Sequence, residues 1–201
     1  KLPGFADGLA SVQDEASQMI PKFLNTETGH RVLDACAAPG GKTCAILEQQ
    51  KGIHLTALDI GAKRTAVIEE NLKRLKLECE VVTRVLLDVP CSATGIIRRH
   101  PDIKLLRLDT DIDKLSTTQE ELLAKAWSLL CINGELLYST CSILPDENQA
   151  IVARFLKSQP DARLLPVNCS TGIASPEGLQ LLPTTGGSDG FFFSRLQKYK
   201  P

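Results

Sequence analysis

The sequence predicts a Rossmann-like α/β fold: a mostly parallel sheet with helices on both faces and an antiparallel closing strand. Three observations carry that prediction. Short β-rich apolar runs alternate with helical stretches of about 10–15 residues, the pattern of a parallel sheet built from crossover units. The first run, Arg31–Cys36, ends in a turn of small residues, Ala37-Ala38-Pro39-Gly40-Gly41. The chemically distinctive residues, Ala37–Lys42, Asp59, Asp88–Cys91 and Thr140–Cys141, each follow a predicted strand, where open α/β sheets bind their ligands.

Residues 1–30 are an N-terminal lead-in, broken early by Pro3, Gly4 and Gly8 before a short helix over Gln13–Leu24. The main domain runs over 31–201. After the strand Arg31–Cys36 and its turn, a helix is expected over Lys42–Gln50, then a strand over His54–Asp59. Ala62–Leu75 reads as a helix because Val67, Ile68, Leu72 and Leu75 share one face. Cys79–Val82 and Val85–Asp88 read as strands, Leu115–Leu130 as a long helix, Gly134–Ser139 as a buried strand and Asp146–Lys157 as a helix. Arg163–Val167 and Phe191–Leu196 suit a closing antiparallel pair. One junction is too short: only Thr83 and Arg84 separate Val82 from Val85, whereas two parallel strands need a crossover of about a dozen residues. Either Cys79–Asp88 is one strand, or a crossover segment is missing between 83 and 84; the second reading is favoured.

Bulk composition narrows the class. With 201 residues, 43% hydrophobic and 23% charged, the chain has a full globular core and is neither disordered nor fibrous. Its seven cysteines show no even framework, no CxxC pair and no Cys/His cluster, so reduced thiols in a cytoplasmic protein without a metal site are expected. No apolar run is long enough to cross a bilayer, and no membrane partner is expected. The chain opens on Lys1 and not on methionine, which reads as a fragment; a monomer is expected. A net charge of −1 is silent about nucleic acid, but Arg98, Arg99, Lys104 and Arg107 cluster with only Asp102 opposing them.

The turn after the first strand brings backbone N–H groups and a helix N-terminus close to a ligand, with Gly40 and Gly41 permitting the approach. Asp59, ending the next strand, is placed for a ribose diol. Gly41-Lys42-Thr43 is not a P-loop, because Cys36 stands where that motif needs its first glycine, and the GxGxxG spacing of dehydrogenases is absent.

Asp88-Val89-Pro90-Cys91 and Ser139-Thr140-Cys141-Ser142 put two thiols on the same predicted edge. A lone cysteine is usually a small buried hydrophobe. A pair at the ligand edge suits covalent catalysis at a weakly nucleophilic carbon such as C5 of cytosine. A thiolate adding to C6 makes C5 an enamine carbon able to take a methyl group, and a base then permits release. Asp88 is placed to assist the addition, and the base must be unstacked or single-stranded. Which thiol attacks is left open by the spacing alone.

Asp34-Ala35-Cys36-Ala37-Ala38-Pro39-Gly40-Gly41-Lys42-Thr43, Asp88-Val89-Pro90-Cys91-Ser92 and Ser139-Thr140-Cys141-Ser142 together closely resemble the Sun/Fmu family of RNA 5-methylcytosine methyltransferases, the bacterial small-subunit ribosomal RNA branch nearest. The likeness runs from about Gly8 to Leu196 and includes Arg98–Lys104, Pro145-Asp146-Glu147-Asn148 and Asp189-Gly190-Phe191-Phe192. It implies a class I S-adenosylmethionine-dependent methyltransferase with its catalytic domain over 31–201, acting on small-subunit ribosomal RNA. An upstream RNA-binding domain of the bacterial member would be absent. By the same resemblance Cys36, Ala37, Ala38, Pro39, Gly40, Gly41, Lys42, Asp59, Arg64 and Asp88 line the S-adenosylmethionine pocket. Cys141 is the nucleophile, Cys91 assists release, and Arg98, Arg99, Lys104 and Arg107 contact RNA phosphates. The family's acidic residue after its third strand has no counterpart at the Thr83-Arg84 junction. Other readings are a silent RNA-binding module of this fold, a transferase acting on another RNA such as tRNA, and a small-molecule methyltransferase. The last would need neither the cysteine pair nor the basic stretch.

Overall fold

A computed structural model describes residues 3–5, 7–58 and 84–200. Asp59, Arg64, the expected helix Ala62–Leu75 and the expected strand Cys79–Val82 lie outside the described residues. An eight-stranded mixed sheet organises the rest. Its parallel part comprises β1 (Arg31–Asp34), β2 (His54–Ala57), β3 (Arg84–Asp88) and β4 (Glu135–Thr140), in the order β2-β1-β3-β4. The antiparallel part comprises β5 (Ala162–Leu165), β6 (Ile173–Ser175), β7 (Gly178–Leu181) and β8 (Phe191–Lys198). β8 lies along β4, and its far side is shared by β7 at one end and β5 at the other. The antiparallel pair expected from Arg163–Val167 and Phe191–Leu196 is present as β5 on β8, and β6 and β7 enlarge the antiparallel part beyond it.

Among the helices, α1 (Glu15–Gln18), α2 (Ile20–Leu24) and α3 (Gly41–Gln49) precede β2. α4 (Ile103–Leu106) and α5 (Asp109–Leu129) lie between β3 and β4, and α6 (Gln149–Ser158) follows β4. The helix expected over Gln13–Leu24 is two pieces joined at Met19. Pro21, in the first turn of α2, has no N–H with which to continue the ladder of α1. α5 starts six residues before the expected Leu115, because the Asp111 carboxylate accepts the Leu108 N–H at 3.1 Å and closes the first turn.

The strand period of two sorts side chains between two cores. Val85, Leu87, Leu136, Tyr138 and Phe192 face Leu123 and Trp127 of α5 and Ile151 and Phe155 of α6. Leu86, Leu137, Phe191 and Phe193 face the other way, toward Phe23 and Leu24 of α2 and Ile46 of α3. Helices thus cover both faces. β1 hands the chain to β2 on one side, and β3 returns on the other. The carboxyl ends of β1 and β3 consequently form the switch-point crevice.

Candidate active site

Three strand ends meet at that crevice. Asp88, the last residue of β3, is in register with Ser139 of β4, whose hydroxyl donates to Asp88 Oδ1 at 2.7 Å. Lys42, in the first turn of α3, places Nζ 2.7 Å from Asp88 Oδ2 and 5.7 Å from the centroid of the Phe191 ring. Burial alone would discharge Lys42, but the charge and hydrogen bond of Asp88, with Cys141 and Asp34 nearby, outweigh it and hold the ammonium above its usual pKa. Lys42 belongs to the expected cofactor loop, yet the structure turns its ammonium onto Asp88.

The two expected cysteines are neighbours: Cys91 Sγ and Cys141 Sγ are 3.4 Å apart. Their surroundings differ. The hydrogen bond from Cys91 lowers the Cys141 thiol pKa, and Lys42 adds to this against burial and the Asp88 charge. The same hydrogen bond, burial, and the charges of Cys141 and Glu147 push the Cys91 thiol well up. Both thiols feel a carboxylate, Asp88 at Cys141 and Glu147 at Cys91, and Cys141 alone also feels the Lys42 cation. Of the two coupled thiols, Cys141 is the one whose pKa is lowered and Cys91 the one whose pKa is raised. Iodoacetamide is expected to alkylate Cys141 at a lower pH than Cys91, which peptide mass spectrometry would read.

The loops carrying the thiols are locked to each other. The Gly95 N–H donates to the Cys141 carbonyl at 2.9 Å, and the Gly190 N–H donates to the Gly95 carbonyl at 2.9 Å. A Cβ on Gly95 would stand 2.1 Å from the Gly190 oxygen and 2.7 Å from the Cys141 oxygen, so only glycine permits this stacking of three backbones. Gly95→Ala is expected to cost about 3 kcal/mol or more of unfolding free energy, measured by urea titration. Hydroxyls of Ser92, Thr94 and Ser142 interlink beneath the pair. Asn148 accepts the Thr140 hydroxyl at 2.6 Å and donates to the Ser142 carbonyl at 3.0 Å, fixing the residues on either side of Cys141.

The remaining expected residues distribute as follows. In the turn, Ala37 and Gly40 are buried, Cys36 and Ala38 half-buried, and Pro39 and Gly41 exposed. Of the basic cluster, Lys104 is exposed on α4, and Arg107 Nε donates to the Ser92 carbonyl at 3.0 Å. Arg98 and Arg99 both pair with the fully buried Asp189 and approach Asp14. Arg98 also donates to the carbonyls of Thr184 and Gly187. These two guanidiniums tie the segment before β8 to the segment after Cys91, a role that sequence spacing did not reveal.

Asp34, the fully buried end of β1, accepts the Thr43 hydroxyl at 2.6 Å. Burial raises its carboxyl from 3.8 to about 7. The folded chain thus binds a proton that the unfolded chain releases. This stabilising contribution is full below about pH 4 and is lost as pH rises through about 7. Asp34→Asn is expected to flatten that part of the stability–pH curve, read from urea midpoints on both sides of the window.

The crevice offers a helix N-terminus and polar groups to a ligand. The N-cap of α3 is Gly40, at φ 96°, and among the described residues no side-chain hydrogen bond caps the helix. The residues leading into it are small, and Asp88 and Lys42 supply polar groups at its rim. Among the described residues there is no group of side chains suited to a metal ion, and no helix long and apolar enough to cross a membrane.

This sheet order, with its ligand crevice at the β1 and β3 ends, defines the class I S-adenosylmethionine-dependent methyltransferase fold. Residues 21–197 match the family described as 16S rRNA methyltransferase RsmB/F, and the chain belongs to that family. It is 48% identical over 214 residues to the ribosomal RNA small subunit methyltransferase B of Pseudomonas putida, covering 98% of this chain and 49% of that protein. The chain spans about half the length of the curated relatives it matches. Among solved structures it resembles NSun6 from Pyrococcus horikoshii with SFG, at TM-score 0.87 and 26% identity, covering all of this chain and 56% of that one. It also resembles a methyltransferase homolog protein from Pyrococcus horikoshii, at TM-score 0.80 and 28% identity, covering 98% of this chain and 70% of that one.

Proposed function

We propose that the chain is the catalytic part of an enzyme that methylates C5 of a cytosine in small-subunit ribosomal RNA, using S-adenosylmethionine. The observation that carries this reading is the 3.4 Å contact between Cys91 and Cys141, with Lys42 beside one thiol and Glu147 beside the other. The names of the relatives support the RNA substrate, and the neighbour with SFG, an analogue of S-adenosylmethionine, supports the cofactor.

In this mechanism the Cys141 thiolate adds to cytosine C6, forming a C–S bond and moving the C5–C6 electron pair onto C5. Asp88, held by Ser139 and Lys42, accepts a hydrogen bond from the cytosine edge and orients the ring. Bound S-adenosylmethionine would supply the methyl group on a sulfonium, its S–CH3 bond breaking as the methyl passes to C5 and the electron pair staying on the neutral thioether that leaves. Loss of the C5 proton to a base restores the double bond and expels Cys141. The S–H of Cys91, directed at the Cys141 sulfur, stabilises the departing thiolate. The turn residues Cys36–Lys42 hold the cofactor, together with Asp59, Arg64 and Asp88. Lys104 and Arg107 contact RNA phosphates, and Arg98 and Arg99 form the same exposed edge while anchoring it to Asp189.

We also propose that a crossover segment is missing between Thr83 and Arg84. The Pseudomonas putida match extends over 214 residues against 201 in this chain, which supports the reading. An intact mass equal to that of the 201 residues alone would contradict it. For the reaction itself, the test is single-turnover transfer of labelled methyl from S-adenosylmethionine to small-subunit ribosomal RNA, with the product nucleoside identified. Label in 5-methylcytidine is expected; label in any other nucleoside would overturn the assignment.

A further inference from the structure

Glu147 carries out no bond-making or proton-transfer step in the reaction just described, yet it is a fully buried carboxylate beside the thiol pair. It ends the 3-10 turn Pro145–Glu147, six residues beyond Cys141, and reaches back to the opposite loop. Its Oε1 accepts the Ser92 N–H at 2.8 Å, and its Oε2 accepts the Ser92 hydroxyl at 2.5 Å. Gln119, equally buried on α5, donates from Nε2 to Glu147 at 3.2 Å and to the Pro90 carbonyl at 2.9 Å. The residues immediately before and after Cys91 are thus gripped by one buried polar pair. Tyr138 of β4 backs the pair, its hydroxyl donating to the Glu147 carbonyl at 2.7 Å.

We propose that Glu147, acting with Gln119, is the positioning residue that seats Cys91 against Cys141. The grip is long-range: it joins α5, the loop after β3 and the turn after β4, the three segments whose relative placement sets the sulfur–sulfur distance. A buried carboxylate satisfied by a backbone N–H, a hydroxyl and an amide is rigid and expensive to move. Its charge adds to the Cys141 hydrogen bond, burial and the Cys141 charge in pushing the Cys91 thiol pKa up. Among the described residues, the other ionisable groups that act on the thiols are Tyr138 from β4, Asp88 from β3 and Lys42 from α3. The inference deepens the proposed reaction and rests on it for what Cys91 is for, not for where Cys91 stands.

The test needs neither RNA nor cofactor. In chains that all carry Cys141→Ala, iodoacetamide alkylation of Cys91 is followed across pH by peptide mass spectrometry. With Glu147→Gln the profile is expected to move to lower pH, so that at a fixed pH on its rising limb Cys91 is alkylated about tenfold faster than in the parent. Ser92→Ala keeps the carboxylate and the backbone bond, and its profile is expected to match the parent. Coincident profiles for Glu147→Gln and the parent would overturn the proposal. Should Glu147→Gln fail to fold, Gln119→Leu releases the Pro90 carbonyl and is expected to speed Cys91 alkylation several-fold at every pH; an unchanged rate would overturn it equally. Absence of methyl transfer by the chain that retains Cys141, with these alkylation changes observed, would strike the proposed reaction and leave the clamp standing.

Discussion

Cys141→Ala is expected to abolish methyl transfer, lowering the single-turnover rate by at least about 10⁴-fold. The size follows from what the sulfur does. Without its addition to C6, cytosine C5 has no enamine character. Cys91 is 3.4 Å away, but burial and the Glu147 charge still push its thiol pKa up once Cys141 is gone. The fold should tolerate the change. Cys141 is only partly buried, and its loop is held through backbone and neighbouring side chains: Gly95 to the Cys141 carbonyl, and Asn148 to Thr140 and Ser142. A urea midpoint near that of the parent, with methylation lost, is the expected combination.

Lys42→Met is expected to slow methyl transfer about 10²-fold near neutral pH, and the loss should shrink as pH rises. Lys42 lowers the Cys141 pKa. Removing the cation raises that pKa, so the thiolate fraction at a given pH falls and recovers only at higher pH. The substitution also leaves Asp88 without its ion pair at 2.7 Å. A rate–pH profile displaced to higher pH would identify loss of thiolate as the cause. A uniform drop at every pH would instead assign Lys42 to binding alone.

The strand ends are legible in the sequence because residues there break two patterns at once: they are polar or small where the flanking strands are apolar, and each is followed by a turn. Asp88, Cys91 and Cys141 stand out this way, and the structure brings them together. Other parts of the site depend on sheet order, which no local pattern encodes. Lys42 meets Asp88 only because β3 returns beside β1. Arg98 meets Asp189 across 91 residues, so the basic cluster looks free when read along the chain. Gln119 does leave a signal. It lies four and eight residues before Leu123 and Trp127, a polar side chain on the buried face of α5. The hairpin β6–β7 escapes sequence reading because its strands are only three and four residues long, too short for alternation to register. The split at Met19 turns on one missing N–H, that of Pro21, inside an otherwise continuous helical pattern.

The central claim is the division of labour between the two thiols, attack by Cys141 and release assisted by Cys91. It is tested most directly by incubating the Cys91→Ala and Cys141→Ala chains with S-adenosylmethionine and small-subunit ribosomal RNA and resolving the products on a denaturing gel. The Cys91→Ala chain should accumulate a covalent protein–RNA adduct, because Cys141 can still add to C6 but loses the S–H that stabilises its departure, and the Cys141→Ala chain should form none. An adduct with Cys141→Ala and none with Cys91→Ala would reverse the two roles and contradict the account.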